Sequence, residues 1–162
     1  METRLTAGLS CRPASGEDIA WLTNTYIVSM QSAIVGARGY WDEAKERDQF
    51  RNQLRLSDTT VLIVGEQPVG FYTAWLEIDH LFLGTLCVLP EYQRRGIGAL
   101  AMCAIAKRCG KLPVRLSVLK ANSLAKRFYE RLGCYCTSSS EYHHHLLWPN
   151  NAMHATCEDA RA

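Results

Sequence analysis

The chain has 162 residues, the length of one compact domain. Hydrophobic residues make up 48% of it and charged residues 21%, which is typical of a soluble globular protein, and no apolar segment is long enough to span a bilayer. A formal net charge of +2 is too small to indicate nucleic-acid binding. Residues 1–4 also lack the basic start of a secretory signal. We therefore expect a cytoplasmic protein with neither a nucleic-acid nor a membrane partner.

The cysteine and histidine residues do not predict a disulfide framework or a metal site. Seven cysteines are an odd number, and they lie in apolar segments, which favours reduced thiols. Cys134 and Cys136 have the same-face spacing of a strand, but no second pair lies at zinc-finger spacing. Residues 143–145 are three histidines that alternate faces on a predicted strand. We expect no metal to be bound there.

The N-terminal third of the sequence predicts one strand followed by two helices. Residues 8–12 form the expected strand, and Ser15 is a suitable N-cap for the first helix. Apolar residues at helical spacing follow until the glycines at 36–39. A second helix is expected over residues 42–56.

The middle of the chain predicts three strands and a helix. The strands are expected at residues 59–64, 69–76 and 80–89, and the third is almost wholly apolar, as a central buried strand would be. An Ala-rich helix over 99–109 then stops at Gly110.

The rest of the chain predicts a strand, a helix and two short strands. These are expected at residues 114–119, at 122 or 123 to 132, at 135–139 and at 142–148. The whole order predicts an α/β fold with a mixed sheet and helices on both faces. We expect one domain over residues 1–149 and a flexible tail over 150–162.

The turn after the central strand carries the strongest functional signal. It reads Gln93-Arg94-Arg95-Gly96-Ile97-Gly98-Ala99 and leads from a buried strand into a helix. Glycines allow a close approach of the backbone, and free N–H groups at a helix N-terminus bind anions. Positions 92–129 contain no acidic residue but nine of the 18 lysines and arginines. This pattern predicts a site for a polyanion, and a pyrophosphate fits it better than a carboxylate does.

Two other interpretations of the turn are weaker. Gly96, Gly98 and Ala101 satisfy the dinucleotide-binding fingerprint, but that motif needs an acid at the end of the next strand, where this sequence has none. A purely structural turn would leave Arg94 and Arg95 unexplained.

Two segments resemble the GNAT acetyltransferase superfamily. Residues 93–98 match its Q/R-x-x-G-x-G/A acyl-CoA loop, and residues 116–133 resemble its segment L-x-V-x-x-x-N-x-x-A-x-x-F-Y-x-x-x-G. Cys134 follows where the family usually has Phe. The resemblance covers residues 69–135, and the N-terminal third shares only the predicted strand-helix-helix layout.

The resemblance implies acetyl-CoA as co-substrate and assigns roles to several residues. The cofactor would contact the central strand, the loop and the following helices; the implied contacts are Leu86, Cys87, Val88, Gln93, Arg94, Arg95, Gly96, Ile97, Gly98, Ala99, Asn122 and Tyr129. The N–H of Val88 would stabilise the oxyanion, beside a β-bulge expected at Leu86 and Cys87. Tyr129 would protonate the departing thiolate. Core packing for Tyr129 and helix capping for Asn122 are the alternatives.

A base for the attacking amine and the acceptor itself are less defined. Glu77, Asp79 and His80 precede the central strand and could take the proton directly or through water, although solvated strand ends are the plainer interpretation. Five acids would permit, without demonstrating, an acidic cleft for a cationic acceptor: Glu43, Glu46, Asp48, Glu77 and Asp79.

These patterns together favour an N-acetyltransferase that transfers the acetyl group to a primary amine in a direct ternary complex, with a homodimer as its possible assembly. The alternative is a non-catalytic acyl-CoA-binding module that keeps the loop.

Overall fold

The computed structural model describes residues 8–161, with the side chains of all of these except residues 155, 156 and 158–161. Residues 1–4, used above to argue against a secretory signal, lie outside the described residues. Within the described part of the chain, no helix combines the length and the hydropathy needed to cross a membrane.

The secondary structure follows the predicted order, with one further helix at the end. The strands are β1 (Leu9–Pro13), β2 (Thr59–Val64), β3 (Gln67–Leu76), β4 (Leu81–Val88), β5 (Val114–Leu119), β6 (Tyr135–Ser139) and β7 (His143–Trp148). The helices are α1 (Ile19–Arg38), α2 (Glu43–Gln53), α3 (Ile97–Cys109), α4 (Ser123–Arg131) and α5 (Asn150–Arg161).

The seven strands form one mixed sheet in the order β1-β2-β3-β4-β5-β7-β6. Neighbouring strands are antiparallel except β4 and β5, which are parallel. Parallel neighbours need a crossover connection, and α3 supplies it. The mixed sheet with helices on both faces that the sequence predicted is confirmed.

The two faces of the sheet carry separate apolar clusters. Phe71 and Cys87 pack with Leu22 of α1 and Phe50 of α2 on one face. On the other face, β-strand side chains pack with residues of α3, α4 and α5; Trp148, Ile105 and Met102 are completely buried there. Each strand therefore alternates between two helical layers, which explains its nearly continuous apolar sequence.

The first helix runs past the point where its end was expected. Gly36 stays helical, and α1 ends at Arg38, after which Gly39, with φ of 79°, caps the helix in the left-handed conformation. A Cβ built on Gly36 would lie 3.1 Å from the Cβ of Ala121, so this glycine lets α1 approach the connection between β5 and α4. The end of α1 therefore lies over the carboxyl end of β5.

The C-terminal segment, for which the sequence predicted a flexible tail, is helical. Residues 150–161 form α5, which packs against α3, and Met153 is only 2% exposed.

Candidate active site

Strands β4 and β5 separate halfway along their length. They pair only where Leu81–Leu83 lie beside Val114–Leu116, and no further pairing joins them toward the carboxyl end of β4. A parallel sheet opened in this way leaves main-chain groups on the inner edge of each strand without their usual partners.

A β-bulge in β4 lies at the point of separation. Thr85 pairs with Thr73 of β3 and Leu83 pairs with Ala74, which leaves Gly84 without an opposite residue. Position 84 requires a glycine, because a Cβ there would lie only 2.7 Å from the indole ring of Trp75. The sequence-based expectation placed the bulge at Leu86 and Cys87, and this position was wrong.

The bulge shifts the alternation of β4 by one residue. Leu81 and Leu83 belong to the α3 face before it, and Leu86 and Val88 pack on the same face after it. The pattern apolar-x-apolar-x-x-apolar-x-apolar around a glycine was visible in the sequence. It could have located the bulge.

The main-chain groups of Leu86 and Val88 face the opening between the strands. The N–H of Leu89 donates to the carbonyl of Val69 at 2.8 Å. In an antiparallel pair only alternate residues are hydrogen-bonded to the neighbouring strand, so every second residue of β4, counted back from Leu89, is hydrogen-bonded to β3. Leu86 and Val88 are the residues between, and their N–H and C=O groups point away from β3. The side-chain amide of Gln93 donates to the Val88 carbonyl at 2.8 Å, which agrees with this orientation.

The loop after β4 presents a row of free main-chain donors. Pro90–Tyr92 form a short 3₁₀ helix, and Gly96, with φ of 82°, is the N-cap of α3. Arg94 is the only residue other than glycine with positive φ among those described, at 60°. Within the described part of the chain, the N–H groups of residues 94–99 have no hydrogen-bond acceptor in these turns or caps. Free N–H groups and the dipole of α3 create a site for an anion.

The arginines of this loop are exposed beside the free amides. The guanidinium of Arg95 lies 5.4 Å from the centre of the Tyr92 ring, which orients it by a cation–π contact. Gly98 brings α3 and α4 together, since a Cβ there would lie 3.0 Å from the ring of Phe128. The polyanion site predicted for residues 93–99 thus has the donors and the charge that such a site requires.

A cavity of about 610 Å³ occupies the opening between β4 and β5. Residues of α1 and α2 line it on one side, and Leu86, Asn122 and Tyr129 line it on the other. The opening connects the two faces of the sheet, so two ligands that approach from opposite faces could meet in it.

Tyr129 contributes a buried phenol to this cavity. It is 8% exposed, lies on α4 next to Phe128, and burial raises its pKa above the ordinary value of a tyrosine, with further increases from Cys134 and Cys87. The hydroxyl therefore remains protonated at neutral and moderately alkaline pH.

Tyr26 lines the cavity from the α1 face, and Cys87 is buried in the apolar cluster on that face. Burial raises the pKa of the Cys87 thiol to about 12 and that of the Tyr26 phenol to about 12. A thiol that stays protonated is a poor nucleophile. Cys87 therefore serves the packing of the core.

Asn122 caps α4 and lines the cavity, and its contact with the cofactor stays a prediction. Its side chain accepts a hydrogen bond from the N–H of Ala125 at 3.1 Å, which caps α4, and it also lines the cavity.

The acids proposed as bases do not line the cavity. Glu77 accepts a hydrogen bond from the indole of Trp75 at 2.7 Å, and Asp79 lies 2.5 Å from Nδ1 of His80, both in the exposed turn before β4. Of the five acids considered for a cationic acceptor, Glu46 alone is among the described cavity-lining residues. It is 4% exposed and pairs with Arg38, so the described lining forms no acidic cleft.

Each of the three histidines of β7 has different surroundings. His143 lines the cavity, and Nδ1 of His145 lies 2.8 Å from the hydroxyl of Ser117, while Nδ1 of His144 lies 3.0 Å from that of Ser139. Among the residues that the structure describes, no three His, Cys, Asp or Glu side chains come together as a metal site would require.

Comparisons with known proteins agree with this geometry. Residues 22–134 match the acetyltransferase (GNAT) family. An uncharacterized N-acetyltransferase of Escherichia coli K12, YafP, is 33% identical over 93 residues, which cover 57% of this chain and 55% of that protein. The match therefore spans only about half the length of that relative.

Solved structures share the fold at low sequence identity. The PaiA N-acetyltransferase from Thermoplasma acidophilum, solved in complex with coenzyme A, has a TM-score of 0.71 and 19% identity, and the alignment covers 87% of this chain and 98% of that one. An acetyltransferase from Thermus thermophilus has a TM-score of 0.72 and 18% identity, covering 89% and 98%. The family match, the fold and the opened sheet together show that this chain belongs to the GNAT acetyltransferase family.

Proposed function

We propose that this protein is an acetyl-CoA-dependent N-acetyltransferase that transfers the acetyl group to a primary amine by direct attack in a ternary complex. The observation that carries the proposal is the opening between β4 and β5. The inward-facing amides of Leu86 and Val88 lie on the edge of β4 beside this opening, Leu86 and Tyr129 line the cavity within it, and the loop with the free amides follows β4.

The first step is binding of the co-substrate on the α3 side. The free amides of residues 94–99, with Arg94 and Arg95, hold the pyrophosphate at the N-terminus of α3. The pantetheine arm enters the opening and pairs with the free edge of β4 at Leu86 and Val88, with Asn122 on its other side. This anchors the thioester at a fixed distance from the loop.

The second step is attack on the thioester carbonyl. The carbonyl oxygen becomes an oxyanion as the nitrogen–carbon bond forms, and we assign the Val88 N–H as the donor that stabilises it. The tetrahedral intermediate then collapses, and the carbon–sulfur bond breaks. Tyr129 donates its proton to the departing thiolate and recovers it from solvent.

The amine must lose a proton before or during the attack. Glu77 and Asp79 lie outside the cavity, and Glu46 is held by Arg38. We therefore propose that the proton leaves through water in the cavity, and that Glu77 and Asp79 accept it only through that water.

An acceptor screen with detection of the free thiol tests the activity. Purified protein is incubated with acetyl-CoA and a panel of primary amines, and release of CoA is followed with a thiol reagent. Turnover of at least one amine supports the proposal. Tight acetyl-CoA binding by calorimetry with no turnover on any amine would favour the non-catalytic module.

The phosphate loop has its own test. The double variant R94Q/R95Q should weaken acetyl-CoA binding by at least about tenfold, because a hydrogen bond to a charged group contributes about 1.5 kcal/mol or more. The loss should shrink as salt is added. The double variant R51Q/R131Q removes the same charge from α2 and α4 and is the control; equal losses in both would contradict the proposed site.

A further inference from the structure

The reaction proposed above leaves a second cavity, of about 250 Å³, without a role. It lies on the α1 side of the sheet, over the part that α1 and α2 do not cover. Phe82, Leu116 and Ser117 line both cavities, so the second cavity adjoins the first.

The polar lining of the second cavity consists of imidazole, hydroxyl and guanidinium groups. His80, Arg115 and His145 lie around it together with the hydroxyls of Ser117 and Thr137, and no carboxylate is among its described lining residues. Arg115 and Ser117 occupy the exposed positions of β5, whose alternate residues Val114, Leu116 and Val118 are buried. The cluster is therefore a consequence of strand alternation on the open face.

The side chains around the cavity are held in place by neighbours. His145 lies directly opposite Ser117 in the sheet, and its Nδ1 is 2.8 Å from the Ser117 hydroxyl. His80 is fixed by Asp79 through Nδ1 and by the edge of the Phe82 ring, whose centre is 6.3 Å away. The other ring nitrogen of each histidine is left for a ligand.

Arg115 has no hydrogen bond or ion pair within the described part of the chain. The nearby acid is Asp79, whose pKa is lowered first by its hydrogen bond to His80 and only to a lesser degree by Arg115. Arg38 and Arg55 differ in this respect, because Arg38 forms an ion pair with Glu46 and Arg55 forms one with Asp58. Arg115 is thus a guanidinium whose donors are available to an anion.

A path along the sheet connects this guanidinium with the reaction site. Phe82 lies beside Arg115 in the register of β4 and β5, and it also lies next to Trp75, with ring centres 5.0 Å apart. The Phe82 ring forms an apolar floor between the opening at Gly84 and the second cavity, while the guanidinium of Arg55 lies 4.0 Å from the centre of the Trp75 ring. A short methylene chain could cover this floor while its ends reach the two polar sites.

We propose that the acceptor is a primary amine that carries an anionic group, carboxylate or phosphate, and that this group binds to Arg115, His80 and His145 while the amine enters the opening between β4 and β5. This inference rests on the proposed acetyl transfer and specifies its acceptor class. A diamine or polyamine would place its second cation against Arg115, which costs free energy.

Matched acceptors test the inference. The panel contains 4-aminobutyrate and 3-aminopropylphosphonate as anions, 4-aminobutyramide as the neutral analogue, and 1,4-diaminobutane as the cation. We expect kcat/KM for the better anion to exceed that for the amide by at least about tenfold, since a charge-assisted hydrogen bond contributes about 1.5 kcal/mol or more. The ranking of the two anions distinguishes carboxylate from phosphate recognition.

The variant R115Q should bring the anion-to-amide ratio close to one, mainly through KM. Arg115 is exposed, so the substitution leaves the core intact. R51Q removes an equal charge from an exposed position of α2 that lines neither cavity, and it should keep the ratio. Equal rates with the amide or the diamine, or an unchanged ratio in R115Q, would overturn the inference and leave the acetyltransferase proposal standing.

A binding measurement separates the two proposals if no acceptor is acetylated. Calorimetric titration of 3-aminopropylphosphonate into the CoA-loaded protein should show binding that R115Q weakens by about tenfold and R51Q does not. Binding of this kind without turnover would contradict the acetyltransferase proposal and support the anion site. Absence of binding would overturn the anion site.

Discussion

Burial of Tyr129 keeps its phenol in the protonated form that the proposed role as general acid requires. A phenol has an ordinary pKa near 10 and a thiol one near 8.5, so a thiolate is the weaker base of the two conjugates. The pKa of Tyr129 is raised further by burial, with contributions from Cys134 and Cys87. The residue can donate only to a base formed transiently beside it, and it does not ionise between turnovers.

Replacing Tyr129 by Phe should lower kcat by about 100-fold or more, because positioned general acids contribute about 10²–10⁴ to a rate. The affinity for acetyl-CoA, measured by calorimetry, should change little, since the ring remains.

The pH dependence of the native protein gives a second test of Tyr129. Its kcat should show no loss from phenol ionisation up to about pH 10, because the raised pKa keeps the proton on the phenol.

Tyr72→Phe is the matched control for Tyr129→Phe. Tyr72 is 3% exposed and does not line the cavity, so its hydroxyl should be irrelevant to turnover. A Tyr129→Phe protein as fast as the native one would remove this residue from the mechanism.

At the scale of elements, the periodicity of apolar residues was sufficient to predict most strands and helices. The strands Thr59–Val64, Val114–Leu119 and Tyr135–Ser139 have the predicted bounds. Local sequence decides such segments, because β-branched runs, turn residues and glycine caps all act over a few positions.

The contact that requires a glycine at the bulge of β4, and the surroundings of the acids, could not be predicted in the same way. Gly84 is required by the ring of Trp75 on the neighbouring strand, and that contact depends on the register between β3 and β4. Glu46 lines the cavity because α2 lies across the opening, and the position of α2 is a consequence of tertiary packing. By contrast, the loop at residues 93–99 is a local motif whose conformation depends on its own glycines. For that reason the sequence indicated it.

Gly96 gives an element-scale prediction. It has φ of 82°, and a Cβ there would meet no atom within 4 Å, so only backbone strain opposes a side chain. Gly96→Ala should cost about 1–2 kcal/mol in the left-handed conformation. If the loop relaxes to avoid this strain, its amides turn away from the pyrophosphate, and the Kd for acetyl-CoA should rise about 5- to 30-fold.

Gly16→Ala serves as the comparison for Gly96→Ala. Gly16 is equally open, with no atom within 4 Å of an added Cβ, but its φ is not positive. Calorimetry should show native affinity for Gly16→Ala. An unchanged Kd in Gly96→Ala would mean that the proposed anion site does not depend on the conformation of this turn.

At the scale of the whole molecule, α5 packs against the helical layer that begins at the loop of residues 93–99. The side-chain amide of Asn150 donates to the carbonyl of Gly110 at 2.9 Å, which joins the start of α5 to the end of α3. Ala152 lies over Gly133, and a Cβ added to Gly133 would be only 2.7 Å from the Cβ of Ala152. Met153 is the one large apolar residue in the sequence of this segment, so its helix depends on contacts with the rest of the fold.

Met153 provides most of the apolar contact that this helix makes among the described side chains. It is 2% exposed and lies in the cluster with Trp148, and its sulfur is 3.7 Å from that of Cys109. Met153→Ala should lower the free energy of unfolding by about 2–5 kcal/mol, measured by urea denaturation, because a buried methionine loses its transfer free energy and leaves a cavity. His154→Ala changes an exposed neighbour on the same helix and should shift the free energy by no more than about 0.5 kcal/mol. Equal midpoints for the two variants would show that α5 does not pack on α3 in solution, and the expectation of a flexible tail would then hold for residues 150–162.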